Sequence, residues 1–218
     1  MWSKRDRVMA VLSGERPDRV PIFECVAHDG ILERYHGGPM PAGDCPAVLR
    51  ACREFLDLCH PALVPQTPST TTLPNGTLRV TERWNAWERP PAMVDMESAL
   101  KREIEALEAQ TPASAEAQAA EFRRNIEATA EDVGDMVYIH LGAGCAILPF
   151  DIEQGAYAYA DYPELVRRWN ALANARLHER IAAVADGRLS PVCIVWNDIA
   201  CKQRLLLAPE VLEELFYP

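Results

Sequence analysis

The chain has 218 residues, 49% of them hydrophobic and 25% charged, a balance that suits a soluble globular protein and excludes a wholly disordered one. Its formal net charge of -10, from 32 acidic against 22 basic residues, repels phosphate backbones and anionic lipid, which makes nucleic acid and membrane surfaces poor partners. No stretch approaches the roughly 20 apolar residues of a membrane span, no signal core follows the basic N-terminus, and seven scattered cysteines are an odd number, so a cytoplasmic protein with reduced thiols is expected.

The first predicted element is a helix opened by Ser3 and Asp6, carrying Val8, Val11 and Leu12 at helical spacing and ending by Gly14. Residues 20–23 form a short apolar run bounded by turn chemistry and predict a first buried strand, with Pro21 near its end. Residues 28–37 and 46–59 read as helices; in the second, Val48, Leu49, Cys52, Leu56 and Cys59 fall on one face. Residues 62–64 predict a second strand, and Asn75 with Gly76 suits a type I′ hairpin inserted after it.

Residues 98–131 are rich in Ala, Glu, Leu and Arg and predict two helices parted near Thr111 and Pro112. Residues 136–141 predict a third strand running into the glycines at 142 and 144. A long helix opened by Asp161 and Pro163 stops by Gly187, residues 192–196 predict a fourth strand, and residues 209–215 a last helix. Strands separated by helices imply parallel strands with crossover connections, hence an α/β sheet or barrel in a single domain.

Two segments carry a family resemblance. Residues 4–22, with a helix followed by Pro17, Asp18, Arg19, Val20 and Pro21, resemble the start of proteins in the uroporphyrinogen decarboxylase and corrinoid-dependent methyltransferase superfamily. Residues 155–218 resemble it again, through the helix opened by Asp161, a strand ending in Asn197 and Asp198, and the segment from Leu207 to Pro218. The resemblance implies a (β/α)8 TIM barrel, incomplete in this chain, spanning about its first half to two-thirds, with an N-terminal helix and the inserted hairpin. On that reading residues 1–218 are one incomplete domain, expected to self-associate or to need a missing C-terminal segment.

The superfamily implies two chemistries. The decarboxylases bind porphyrinogen carboxylates through an arginine-rich segment after the first strand, where this chain has Glu24 through Gly30. The aspartate expected after the second strand is not evident around Val64, and Phe150 or Asp151 stands where a tyrosine is expected. These departures favour the second chemistry, corrinoid-linked, zinc-dependent methyl transfer to a thiol, over decarboxylation of a tetrapyrrole or another acid. Zinc and a corrinoid methyl carrier, with a corrinoid protein as a partner, are implied by the resemblance alone, and the zinc ligands it implies lie beyond Pro218. A non-catalytic truncated barrel is the alternative outside enzymology.

Barrel chemistry sits at the carboxyl ends of strands. That rule selects Asp198, Asp151 and His28 as candidate catalytic groups, and Asn197, Asp29, Cys145 and Cys25 as candidate contacts to a small-molecule substrate. Each has a structural alternative: Asp29 as a helix cap, Asp151 and Asn197 with Asp198 as loop caps. Cys45, Cys52 and Cys59 recur every seven residues, but two helical turns separate successive thiols by about 10 Å, so packing explains them better than a shared metal. Trp84 and Trp87 are expected to shape a lid over the barrel mouth, and no phosphate-binding glycine motif occurs.

Overall fold

The computed structural model describes residues 2–60, 63–74, 76–91, 95–143, 146–195 and 199–216, without the side chains of residues 142 and 143. They fall into two compact units, one of Met1–Ala92, Arg123–Leu141 and Asp186–Ile194, the other of Met93–Phe122, Gly142–Ala185 and Val195–Pro218.

The first unit opens with α1 (Lys4–Leu12), whose start is set by a reciprocal pair: the Asp6 N–H donates to the Ser3 hydroxyl at 3.0 Å and the Ser3 N–H to the Asp6 carboxylate at 3.1 Å. Its core is a three-stranded parallel sheet of β1 (Phe23–Glu24), β2 (Leu58–Cys59) and β6 (Val137–Tyr138), side by side in that order. Phe23 stands beside Leu58 and Leu58 beside Val137, with Glu24, Cys59 and Tyr138 in the next row. Helices α2 (Asp29–His36) and α3 (Cys45–Cys52) connect β1 to β2. They supply Leu32, Ala47, Val48, Leu49 and Cys52 to one buried cluster with Leu56, Cys59 and Met136.

Both early strands lie away from their predicted positions, and two side chains explain why. Pro21 has no N–H for a ladder, and the Ile22 N–H donates to the carboxylate of Asp57 at 2.8 Å, so pairing starts at Phe23 rather than Val20. The helix expected over residues 46–59 stops at Cys52; Asp57 is fully buried at the foot of β2 and bonded to Arg7 and Arg19, which converts its flank into strand. Cys59 is therefore a strand residue, not a third cysteine on one helix face. The expected strand at 62–64 is displaced to Leu58–Cys59; Val64 lies in no strand, and Pro61 and Ala62 lie outside the described residues.

The inserted hairpin is a three-stranded antiparallel meander of β3 (Ser69–Thr72), β4 (Leu78–Thr81) and β5 (Ala86–Arg89). Thr72 pairs with Leu78 and the Leu73 N–H donates to Thr77, which leaves a three-residue loop where a type I′ turn needs two. Gly76 takes the positive φ, +85°, that closes it. Asn75 lies outside the described residues.

The second unit is helical: α4 (Met96–Ala109) packs on α7 (Pro163–Val184), as does α6 (Ile152–Asp161), and α8 (Pro209–Leu215) adds Leu215 to a core with Leu100, Ala158 and Val166. The long α5 (Ala115–Val133) belongs to both units by sequence. The buried Asn170 amide donates to the carbonyls of Ala146 (2.6 Å), Ile147 and Leu215 (both 3.1 Å), tying a loop and a helix end to α7. α6 is absent from the sequence expectation.

The predicted third strand is divided into β6 and β7 (Leu141–Ala143), and β8 (Cys193–Val195) falls within the predicted fourth; β7 and β8 form a two-stranded pair. Among the described residues the sheets are small and do not close into a barrel. No helix among them is long and apolar enough to cross a membrane.

Candidate functional site

The carboxyl ends of the three parallel strands point the same way, so the residues just beyond them collect along one edge of the first unit's sheet. Past β1 come Cys25, His28 and Asp29; past β2 comes His60; past β6 comes His140. The Ile139 N–H donates to the Cys59 carbonyl at 2.9 Å, which carries the ladder one step beyond the paired residues.

Cys25 is exposed, its N–H donating to the Glu24 carboxylate at 2.9 Å. Partial burial and then the Glu24 charge raise its thiol above the ordinary range, the opposite of what an activated nucleophile needs. His28 is exposed at the N-cap position of α2, caps nothing with its side chain, and lays its ring near Gly30, where a Cβ would stand 3.2 Å from the imidazole Cε1. It keeps the exposure a proton-transfer group needs.

Asp29 is held by Arg83. It receives both forks of Arg83, from Nη2 at 2.6 Å and Nε at 3.1 Å, with a longer bond from the Trp84 indole at 3.3 Å. Arg83 holds the Asp29 carboxyl below its usual range, and its Nη2 also reaches the Met40 carbonyl at 2.7 Å. Asp29 and Arg83 thus clamp the meander to α2, and Trp84 packs on the helical core beneath it. Trp87, on β5, is exposed.

Asp151, in the second unit, accepts the Gln154 N–H at 2.8 Å as the N-cap of α6, so a structural task already occupies that carboxylate. Asn197, Asp198 and Cys145 lie outside the described residues. Of the candidates, Cys25, His28 and Asp29 share one short segment behind β1.

His60 and His140 were not among the sequence candidates. His140 meets the Tyr138 ring edge-on, with centroids 4.7 Å apart, and burial lowers its pKa, leaving a neutral imidazole near pH 7. Cys59 is buried and donates to the His60 carbonyl at 3.0 Å; a bond with the Cys52 thiol, then burial, pushes its own pKa up and keeps it protonated. Among the described residues no three His, Cys, Asp or Glu side chains converge on a possible metal position. The arrangement offers imidazoles for proton transfer or hydrogen bonding and a protonated thiol, but no ready metal cage.

No family model matches the chain, and neither a curated protein nor a solved structure matches it.

Proposed function

We propose that this protein is a small-molecule enzyme of the uroporphyrinogen decarboxylase-like superfamily, built on a parallel α/β barrel and related to corrinoid-linked, zinc-dependent methyl transfer. The observation that supports this reading is the sheet order: three parallel strands side by side in the order of the chain, joined through helices with the β3–β5 meander inserted between the second and third, and with Cys25, His28, His60 and His140 behind their carboxyl ends. Zinc would need ligands outside the described set, so no step is assigned to it. Within this chain, His28 and His140 are the groups fitted to hydrogen-bond a substrate or move its proton, the first exposed and the second neutral.

Parallel incubations test the reaction class. The protein with a methylated corrinoid and a thiol is expected to release methyl thioether, and with uroporphyrinogen to leave the carboxylates intact. Decarboxylated porphyrin alone would reverse the assignment, and neither product would remove both.

A second, non-catalytic reading is favoured by one feature, an exposed apolar groove of about 440 Å3 between α1 and the sheet, lined by Val8, Leu12, Val20, Phe23, Leu58 and Val192. Val20 is 82% exposed and Phe23 44%. Contiguous apolar surface of this kind drives association, which a non-catalytic protein that pairs with copies of itself would use.

A further inference from the structure

In the first unit's sheet, β1 is an end strand: β2 lies on one side of it, and among the described residues no strand lies on the other. The Leu58 N–H donates to the Ile22 carbonyl at 3.1 Å, and Phe23 is the register partner of Leu58. In a parallel pair that pattern turns the main-chain groups of Ile22 and Glu24 toward β2 and those of Phe23 toward the open edge. Extended backbone gives Pro21 and Cys25 the same outward orientation. Pro21 has no N–H, and the Cys25 N–H already donates to the Glu24 carboxylate at 2.9 Å. Of these three, Phe23 alone presents both a donor and an acceptor to an incoming strand.

The same edge is apolar. Phe23 lines the groove with Val11, Leu12 and Val20, and Ile22 precedes it in the chain. These five residues are between 44% and 82% exposed, which leaves of the order of 500 Å2 of surface uncovered on each copy. Two such patches make about 1,000 Å2, the lower bound for a specific contact between proteins. Self-pairing also has one favoured register. A two-fold axis at Phe23 sets Phe23 against Phe23 as a hydrogen-bonded pair, matching both groups on each copy, and places Glu24 opposite Ile22. Moving the axis to Ile22 sets Phe23 against Pro21 and leaves the Phe23 carbonyl without a donor. Moving it to Glu24 sets two glutamates face to face.

We propose that two copies of this chain associate through their β1 edges, antiparallel about a two-fold axis at Phe23, joining their sheets edge to edge and setting the two apolar grooves against each other. The inference rests on the associating reading of the groove and supplies its partner strand and register. A small apolar ligand would cover the groove and leave the Phe23 main chain unmatched, whereas a strand meets both. Because the contact is isologous, each copy uses its edge once and assembly stops at two. That also removes an open strand edge, which soluble proteins otherwise have to protect.

Sedimentation velocity on the intact protein from about 1 to 300 μM is expected to show monomer and dimer, with a dissociation constant of about 10–100 μM and no larger species. In an equal mixture of isotope-labelled and unlabelled protein, filtered NOE spectra record contacts between chains alone. They should show the Glu24 α-proton against the Ile22 α-proton, and the Phe23 ring against itself. Phe23→Leu keeps the N–H and most of the apolar surface and should weaken the dimer about tenfold. Phe23→Pro removes the N–H from the open edge without touching the ladder to β2, and should leave no dimer below about 300 μM with the far-UV spectrum unchanged. A dimer with no interchain contact at residues 22–24, one as tight in Phe23→Pro as in Phe23→Leu, or growth beyond two copies would overturn this arrangement while the associating reading stands. A wild-type protein that stays monomeric throughout would overturn both.

Discussion

A carboxylate with no solvent exposure is tolerable only when its charge is matched, and Asp57 is matched by Arg19 in a two-bond contact, by Arg7 at 3.2 Å and by the Ile22 N–H. Burial alone would raise its pKa; the Arg19 bond, the Ile22 N–H and Arg7 outweigh that and hold it below the ordinary carboxylate range. A folded-state pKa below the unfolded value means that the stabilisation is complete above about pH 3.9 and is lost as pH falls through the lower, folded value. Asp57→Asn removes the charge that Arg19, Arg7 and the Ile22 N–H share, while Arg7 keeps Asp18 and Arg19 keeps solvent, and is expected to cost about 2 kcal/mol by urea unfolding at pH 7, a deficit that shrinks in acid. Equal stability of the two proteins at pH 7 would remove Asp57 from this role. Nothing in the sequence marks Asp57 as buried: it interrupts an apolar stretch between Leu56 and Leu58, and its partners lie 38 and 50 residues earlier. His60 stood behind no predicted strand for a linked reason. With the second strand expected at 62–64, Val64 stood at its end, and His140 lay inside the expected third strand rather than behind it. Cys25, His28 and Asp29 were placed behind the first strand because its predicted end, Phe23, lies one residue from the observed end, Glu24.

At the scale of elements, helices with local signals were readable and short strands were not. Ser3 with Asp6, and Pro163 and Pro209 in the first turns of α7 and α8, mark their helices within a few residues of sequence. Two-residue strands have no periodicity to read, and their position depends on hydrogen bonds to distant chain. The helix α6 was hidden by Gly155, an unfavourable residue inside a helix, and the structure shows why glycine stands there. A Cβ would come within 2.7 Å of both the Leu148 Cβ and the Pro149 carbonyl oxygen, so the loop before α6 rides directly on the helix backbone. Gly155→Ala raises helix propensity yet is expected to destabilise by about 1–3 kcal/mol, read as a lower thermal midpoint. A rise in that midpoint would mean that the close approach between α6 and the 148–149 loop is absent.

For the whole molecule, the apolar groove beside β1 bears on both functional readings, since Phe23 and Leu58 share one register row on the sheet and also line the groove. Val20→Asp with Phe23→Asp should reduce self-association in sedimentation velocity, with the far-UV spectrum retained; a wild-type protein that is monomeric at every concentration would contradict the associating reading. Everything proposed for the strand-end residues depends on β1, β2 and β6 running side by side in one direction. Interstrand NOEs in the isotopically labelled protein test that directly. A parallel sheet in this register predicts contacts from the Leu58 amide to Ile22 or Phe23 and from the Ile139 amide to Cys59 or His60. Cross-strand contacts between facing α-protons, the mark of an antiparallel pair, or no contacts between these three segments, would contradict it.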